Sequence, residues 1–240
     1  MNLKLLHIFL LSTAGTFLLC TPFINTVELA NGLVTGKMCW FHLAMLFFSV
    51  CVFFVMLTKK GTVIAFTFSD PLVSFFAGGV LITYKWNLNP EPEKLIFAGQ
   101  LVILWFLLRY VLTAYREFKF FFLFVLMFTG LIEAVWGMQQ LHGYSHSNHS
   151  LFRLTGSFFN PGPYSGYIAV ILPVCLWTAL KFQKGMHCFA WICVGAILIV
   201  LPAGMSRSAW MAAVVACGWV YWTERIGWKK TKAVYIRYKN

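Results

Sequence analysis

The chain has 240 residues, of which 60% are hydrophobic and only 11% are charged. Because a soluble domain carries roughly 25% charged residues, this composition excludes an ordinary water-soluble fold. Apolar runs of about 18 to 22 residues recur along the chain, and that length crosses a hydrocarbon core of about 30 Å. We therefore expect an all-α, polytopic transmembrane helix bundle embedded in the lipid bilayer.

The net charge of +12 does not indicate a nucleic-acid partner. Lys and Arg occur in short clusters between apolar runs and do not line one polar face, so we interpret the charge as a topology signal. The seven cysteines lie within or beside apolar runs, without a CxxC pair or zinc-type histidine spacing. We expect them to be packing residues, and we expect no metal and no cofactor.

Windows of about 19 residues predict eight membrane spans. They lie near residues 5–24, 38–57, 62–83, 95–114, 119–138, 163–180, 187–204 and 208–223. With a cytoplasmic N-terminus, thirteen Lys and Arg residues fall on the inner side and five on the outer side. The positive-inside rule therefore predicts that both termini are cytoplasmic.

This topology divides the chain into three parts. Residues 1–118 form the N-terminal transmembrane helices, and residues 119–223 form a second helical region that contains an external loop, 139–161. Residues 224–240 form a basic cytoplasmic tail.

Ionisable residues inside the predicted spans need a partner or a function, because a charge in a bilayer costs a few kcal/mol. Asp70, in a Ser69-Asp70-Pro71 sequence that predicts a kinked or partly re-entrant third span, lies at a similar depth to Arg109. We predict a structural ion pair between them, with a transport role as the alternative. Glu133, near the external end of the fifth span, favours a structural hydrogen-bonding role, with proton acceptance in catalysis as the alternative.

The predicted external loop contains three histidines, His142, His146 and His149. The spacing of the first two would suit a metal site on a helix. Gly143 and the neighbouring serines instead favour a flexible, solvated loop, which is the interpretation that we adopt.

The start of the sixth span has the features of a helix N-terminus. Asn160 is a suitable cap, and a helix accepts Pro161 or Pro163 in its first turn because the missing N–H needs no partner there. Arg153 lies a few residues upstream. A helix N-terminus attracts anions, so this pattern predicts an anion site.

A second arginine occurs in a matching position before the eighth span. Gly204 can end the seventh helix, Ser206 or Ser208 can cap the eighth, and Arg207 lies in the turn between them. Its planar guanidinium suits phosphate oxygens, as does that of Arg153 on the same side of the membrane. The alternative is that each arginine only reaches towards lipid headgroups.

Two motifs in this half resemble a known family. The first is R-x-x-G-x-F-x-N-P, from Arg153 to Pro161, and the second is S-R-S-A-W, from Ser206 to Trp210. In this order and spacing they resemble the shared core of the O-antigen ligases and O-antigen polymerases. The resemblance covers roughly residues 120–223.

The resemblance implies a metal-independent membrane glycosyltransferase of lipopolysaccharide and surface-polysaccharide assembly in the bacterial inner membrane. Its donor would be a polyprenyl-diphosphate-linked glycan, and its acceptor a lipid A core or another glycan. Arg153 and Arg207 would hold the diphosphate on the periplasmic face, beside Asn160, Ser206 and Ser208.

The family also has further spans and a later external loop whose histidine is proposed as the base. No position in this sequence matches that histidine, so the catalytic residue stays unknown, with Glu133 as a candidate. We therefore expect a chain that lacks a C-terminal part, that pairs with a partner chain, or that binds the donor without transferring it. A membrane transporter and a non-catalytic assembly subunit are the alternative functions.

Overall fold

The computed structural model describes residues 3–26, 32–59, 69–87 and 91–237, with side chains up to residue 224. Within these ranges the chain is 84% helix and has no strand, which confirms the all-α expectation. A 3₁₀ helix, Thr21–Phe23, follows the first of eight α-helices. These are α1 (Leu3–Leu19), α2 (Gly32–Thr58), α3 (Ser69–Trp86), α4 (Pro92–Ala114), α5 (Arg116–Leu141), α6 (Pro161–Lys181), α7 (Gly185–Ala203) and α8 (Arg207–Arg237).

Five of the described helices, α2, α4, α5, α6 and α7, are long and apolar enough to cross a membrane. The protein is therefore a multi-pass membrane protein by the length and composition of its helices. The other three differ for identifiable reasons. Helix α1 has 17 residues, α3 carries Asp70 and Lys85 at its two ends, and α8 continues into the basic segment that begins after Glu224.

The third predicted span is described only from Ser69 onwards. Ser69, Asp70 and Pro71 are the first three described residues of α3. Residues 60–68, which include the start of the predicted span, lie outside the described residues.

The predicted ion pair between Asp70 and Arg109 is confirmed. The guanidinium of Arg109 on α4 donates to Oδ1 of Asp70 on α3. The indole Nε1 of Trp105 lies 3.4 Å from the same oxygen, and Asp70 is only 3% exposed. A buried carboxylate is thus neutralised by a neighbouring helix, as a charge in an apolar environment requires.

The chain forms two compact units that divide within α5. The first comprises Met1–Ile24 and Thr35–Phe122, and the second Asn25–Val34 and Leu123–Asn240, whereas the sequence placed a boundary at residue 118. The core of the first unit includes Leu11 of α1, Phe48 of α2 and Val111 of α4, all fully buried.

In the second unit, α6 is the central helix and packs against both α7 and α8. Two glycines on α5 lie where side chains of other segments approach closely. A Cβ atom at Gly130 would come within 2.8 Å of Cγ2 of Ile171, and one at Gly137 within 2.7 Å of Cδ1 of Leu154. Small residues at such positions allow close packing in membrane proteins, where van der Waals contact drives helix association.

Loss of either partner of the ion pair should destabilise the first unit. In Arg109→Gln the Asp70 carboxylate stays buried without its guanidinium, which should cost about 3 to 5 kcal/mol of unfolding free energy. The double variant Asp70→Asn, Arg109→Gln removes both charges and should recover part of this loss. Thermal unfolding in detergent measures the stability of Asp70→Asn, of Arg109→Gln and of the double variant. A double variant whose loss of unfolding free energy equals the sum of the two single losses would contradict the ion pair.

Candidate functional site

The loop that joins α5 to α6, residues 142–160, is held by the side chain of Gln140 near the end of α5. Gln140 is 3% exposed, and its Oε1 accepts hydrogen bonds from the backbone N–H groups of Thr155 (2.9 Å) and Gly156 (2.7 Å). Its Nε2 donates to the carbonyls of His146 (3.0 Å) and Gly156 (3.1 Å). One carboxamide therefore satisfies backbone groups from two parts of the loop.

Asn148 ties the same loop together from within. Its backbone N–H donates to Oγ1 of Thr155 at 3.2 Å, and its Nδ2 donates to the carbonyls of Gly156 (3.1 Å) and Phe158 (3.0 Å). The segment is an irregular and largely exposed loop, as the sequence interpretation expects, but its backbone has defined side-chain partners. Side-chain amides supply the hydrogen bonds that a regular helix would otherwise make.

Glu133 lies beneath the loop and is fully buried. Its Oε2 accepts a hydrogen bond from the backbone N–H of Ser157 at 3.0 Å, and its backbone carbonyl accepts one from the hydroxyl of Tyr164 at 3.2 Å. This confirms the structural hydrogen-bonding role. Gly156, with φ of +54°, passes so close that a Cβ atom there would collide with the Glu133 carboxylate and the Tyr164 ring.

Gln140 and Asn148 are the positioning residues that the sequence interpretation missed. A signal for them exists, because both carboxamides flank or lie within a segment rich in Gly, Ser and His. The buried backbone groups of such a segment need partners from side chains. The sequence alone does not tell which carboxamide reaches which carbonyl, since that depends on the path of the loop.

The N-terminus of α6 differs in one respect from the prediction. Asn160 is the residue before the helix and has extended backbone angles, but its side chain makes no capping hydrogen bond. Pro161 and Pro163 have no N–H, so Gly162 is the only one of the first three helical residues that could donate to such a cap. Arg153 is exposed on the loop that precedes this helix.

The turn between α7 and α8 follows the prediction more closely. Gly204 ends α7, and Oγ of Ser206 accepts a hydrogen bond from the N–H of Ala209 at 3.4 Å, so Ser206 is the cap of α8. Ser208 lies within the first turn, with its Oγ 3.3 Å from that of Ser206. Arg207 is the first residue of α8 and is exposed, rather than part of the turn itself.

One hydrogen bond connects this turn to the start of α6, and another joins α8 to α7 across the turn. Oγ of Ser165 donates to the carbonyl of Gly204 at 3.1 Å, and the indole of Trp210 donates to the carbonyl of Leu201 at 2.8 Å. The second of these satisfies one of the last carbonyls of α7, which have no partner within the helix.

Together with the Glu133–Ser157 bond, the Ser165–Gly204 bond joins the loop, the start of α6 and the α7–α8 turn at one end of the second unit. Arg153 and Arg207 are both exposed on these segments, and neither forms an ion pair with a described residue. Two accessible guanidinium groups at one helix-bundle end can bind an anion through several oxygens. Among the described residues, no group of three or more His, Cys, Asp and Glu could hold a metal ion.

The four hydrogen bonds of the Gln140 carboxamide form a clamp on the loop. This clamp can be tested with the exposed neighbour Gln139 as the control. Gln140→Met preserves side-chain length but leaves two buried N–H groups without acceptors, which should cost about 2 to 4 kcal/mol. Hydrogen exchange at Thr155 and Gly156 should accelerate in this variant and stay unchanged in Gln139→Met. Equal exchange in both variants would contradict the clamp.

A pair of glycine substitutions tests the close approach of the loop to Glu133. Gly156→Ala places a Cβ atom against the carboxylate and forces an alanine to a positive φ, so it should lower the thermal unfolding midpoint strongly. Gly162→Ala meets no described atom within 4 Å and should leave the midpoint nearly unchanged. Similar midpoints for the two variants would show that the loop does not pass Glu133 in this way.

Comparisons with models of protein families, with curated proteins and with solved structures find no match for this chain.

Proposed function

We propose that this protein binds a polyprenyl-diphosphate-linked glycan and takes part in its transfer to a lipid A core or another glycan, as O-antigen ligases and polymerases do. The observation that carries the proposal is the presence of two exposed arginines, Arg153 and Arg207, on segments at one end of the second unit. Each lies within one of the two motifs that resemble that family. The site would belong to the periplasmic face of a bacterial inner membrane.

The proposed topology has eight membrane-crossing helices and both termini in the cytoplasm. It is supported by the thirteen Lys and Arg residues that fall on one side in this arrangement, against five on the other. The two arginines of the site belong to the side that is poor in positive charge. A function that needs cations explains why they are kept there.

The chemistry of glycan transfer suits cations at this position. A hydroxyl oxygen of the acceptor forms a bond to the anomeric carbon, while the bond from that carbon to the diphosphate oxygen breaks. The diphosphate leaves with added negative charge, and the hydroxyl proton passes to a base. Arg153 and Arg207 would stabilise the developing charge on the diphosphate.

Glu133 has a positioning role in this proposal. Its carboxylate is buried and accepts a hydrogen bond from Ser157, so it holds the loop that carries Arg153. The proton acceptor of the transfer step is therefore not assigned to it. Asn160, Ser206 and Ser208 would line the diphosphate beside the arginines.

The surface of α8 beyond Arg207 also suits a lipid-linked donor. Met211, Val214 and Val215 follow at positions +4, +7 and +8 on the same helix face, and each is more than two-thirds exposed. An anion-binding group at the helix end thus continues into an apolar stripe. A polyprenyl diphosphate has the same division between a charged head and an apolar chain.

Removal of either arginine should weaken binding of undecaprenyl diphosphate. A charge-assisted hydrogen bond contributes about 1.5 to 3 kcal/mol, so Arg153→Ala and Arg207→Ala should each raise the dissociation constant about tenfold or more. The measurement is a binding titration with the purified protein in nanodiscs. Lys85→Ala serves as the matched control because Lys85 is an exposed cation of the first unit, at the end of α3.

The control variant should bind as the unsubstituted protein does. The affinities of Arg153→Lys and Arg207→Lys should lie between those of the control and of the alanine variants. An ammonium keeps the positive charge but loses the bidentate geometry of the guanidinium. If all alanine variants, including Lys85→Ala, weaken binding equally, the lipid is attracted by net charge alone and the proposed site is wrong.

A further inference from the structure

A cleft of about 600 Å³ opens between the end of α5 and the following loop. This volume lies in the range of small-molecule sites, about 300 to 1,000 Å³. Arg153 lines the cleft, and most of the other lining residues are polar. The lining residues with groups that can contact a ligand include His142, Ser145, His149 and Phe152.

Two histidines offer the cleft opposite hydrogen-bonding roles. Nδ1 of His149 accepts from the backbone N–H of Leu151 at 3.0 Å, so the neutral ring carries its proton on Nε2 and is a donor there. Nδ1 of His142 lies 2.9 Å from the carbonyl of Met138 and must donate to it. The Nε2 atom of neutral His142 is therefore an acceptor.

A buried hydroxyl adds a group that both donates and accepts. Among the described residues, Oγ of Ser145 is buried and has no hydrogen-bond partner. A buried polar atom in this state costs free energy unless a ligand or a water molecule satisfies it. Ser145 lines the cleft, so a rotation about its χ1 torsion that turns Oγ towards the cleft would let a bound ligand with a hydroxyl group supply that partner.

Aromatic rings form one edge of the same cleft. The ring of His149 lies 4.8 Å from that of Phe152 and 5.2 Å from that of Phe159, between centroids. Of the two phenylalanines only Phe152 lines the cleft, and it is 39% exposed. Exposed ring faces of this kind pack against the C–H groups of a ligand.

We propose that this cleft binds a saccharide, a role that rests on the proposed binding of the diphosphate by Arg153. A sugar ring presents hydroxyl groups that each donate and accept, together with faces of C–H groups. The cleft supplies a donor, an acceptor, a hydroxyl and an aromatic edge, whereas Arg153 is its one permanently charged lining residue. The saccharide is either the first sugar of the lipid-linked donor or a sugar of the acceptor glycan.

Three probes separate these sources in titrations with the purified full chain in nanodiscs. They are undecaprenyl diphosphate, the same lipid carrying one N-acetylhexosamine, and a free oligosaccharide of the host surface glycan. The variants are Ser145→Ala, which removes a hydroxyl without a described partner, and Phe152→Ala, which removes an aromatic edge. Tyr144→Ala is the control, because Tyr144 is an exposed aromatic residue of the same loop that does not line the cleft.

We expect at least one saccharide-bearing probe to show a binding contribution from its sugar. Phe152→Ala should reduce that contribution about threefold to tenfold, as the loss of an aromatic contact does. Ser145→Ala should reduce it as well, while both variants bind the sugar-free lipid unchanged. If only the sugar-bearing lipid gains affinity, the saccharide in the cleft belongs to the donor. If the free oligosaccharide binds in the presence of saturating sugar-free lipid, the saccharide belongs to the acceptor.

The outcomes distinguish this inference from the proposed function. If the sugar-free lipid binds but neither saccharide adds affinity, the cleft proposal is wrong and the diphosphate site stands. If the free oligosaccharide binds and Phe152→Ala weakens it, while neither lipid binds, the saccharide cleft stands and the diphosphate site is wrong. Equal losses in Phe152→Ala and Tyr144→Ala also overturn the cleft.

Discussion

The carboxamide of Gln140 is the interaction on which the candidate site depends. It binds backbone groups at residues 146, 155 and 156, which lie far apart along a loop without regular structure. The side chain of Gln140 thereby supplies hydrogen bonds that regular secondary structure would otherwise provide to these backbone groups. Arg153 lies two residues before Thr155, so the clamp limits where its guanidinium can reach.

The described charged residues follow two different rules in this protein. Asp70 and Arg109, within helices of the first unit, neutralise each other, because an isolated charge there would be costly. Arg153 and Arg207 of the second unit are exposed and form no ion pair with a described residue. The first arrangement is what stability requires, whereas the second is what binding of an external anion requires.

Much of the helical architecture could be predicted from the sequence. Apolar run length determines where helices form, and the cost of buried charge is enough to pair Asp70 with Arg109. A serine cap at the start of α8 could also be predicted, although the choice between Ser206 and Ser208 required the structure.

Other features could not be predicted from the sequence. Asn160 lies directly before α6 with extended backbone angles, as a cap residue does, yet its side chain makes no capping hydrogen bond. The fold of the loop depends on contacts between residues up to 24 positions apart, such as Glu133 with Ser157, and no periodic pattern encodes such contacts. The saccharide cleft is a product of that loop fold, so it too required the structure.

The most direct test of the account is an experimental structure of the protein with bound undecaprenyl diphosphate. If the two arginines hold the diphosphate, its two phosphate groups lie within hydrogen-bonding distance of the guanidinium groups of Arg153 and Arg207, with the prenyl chain along α8. A diphosphate bound at the opposite end of the second unit, beside Lys181 and Lys184, would contradict this binding mode.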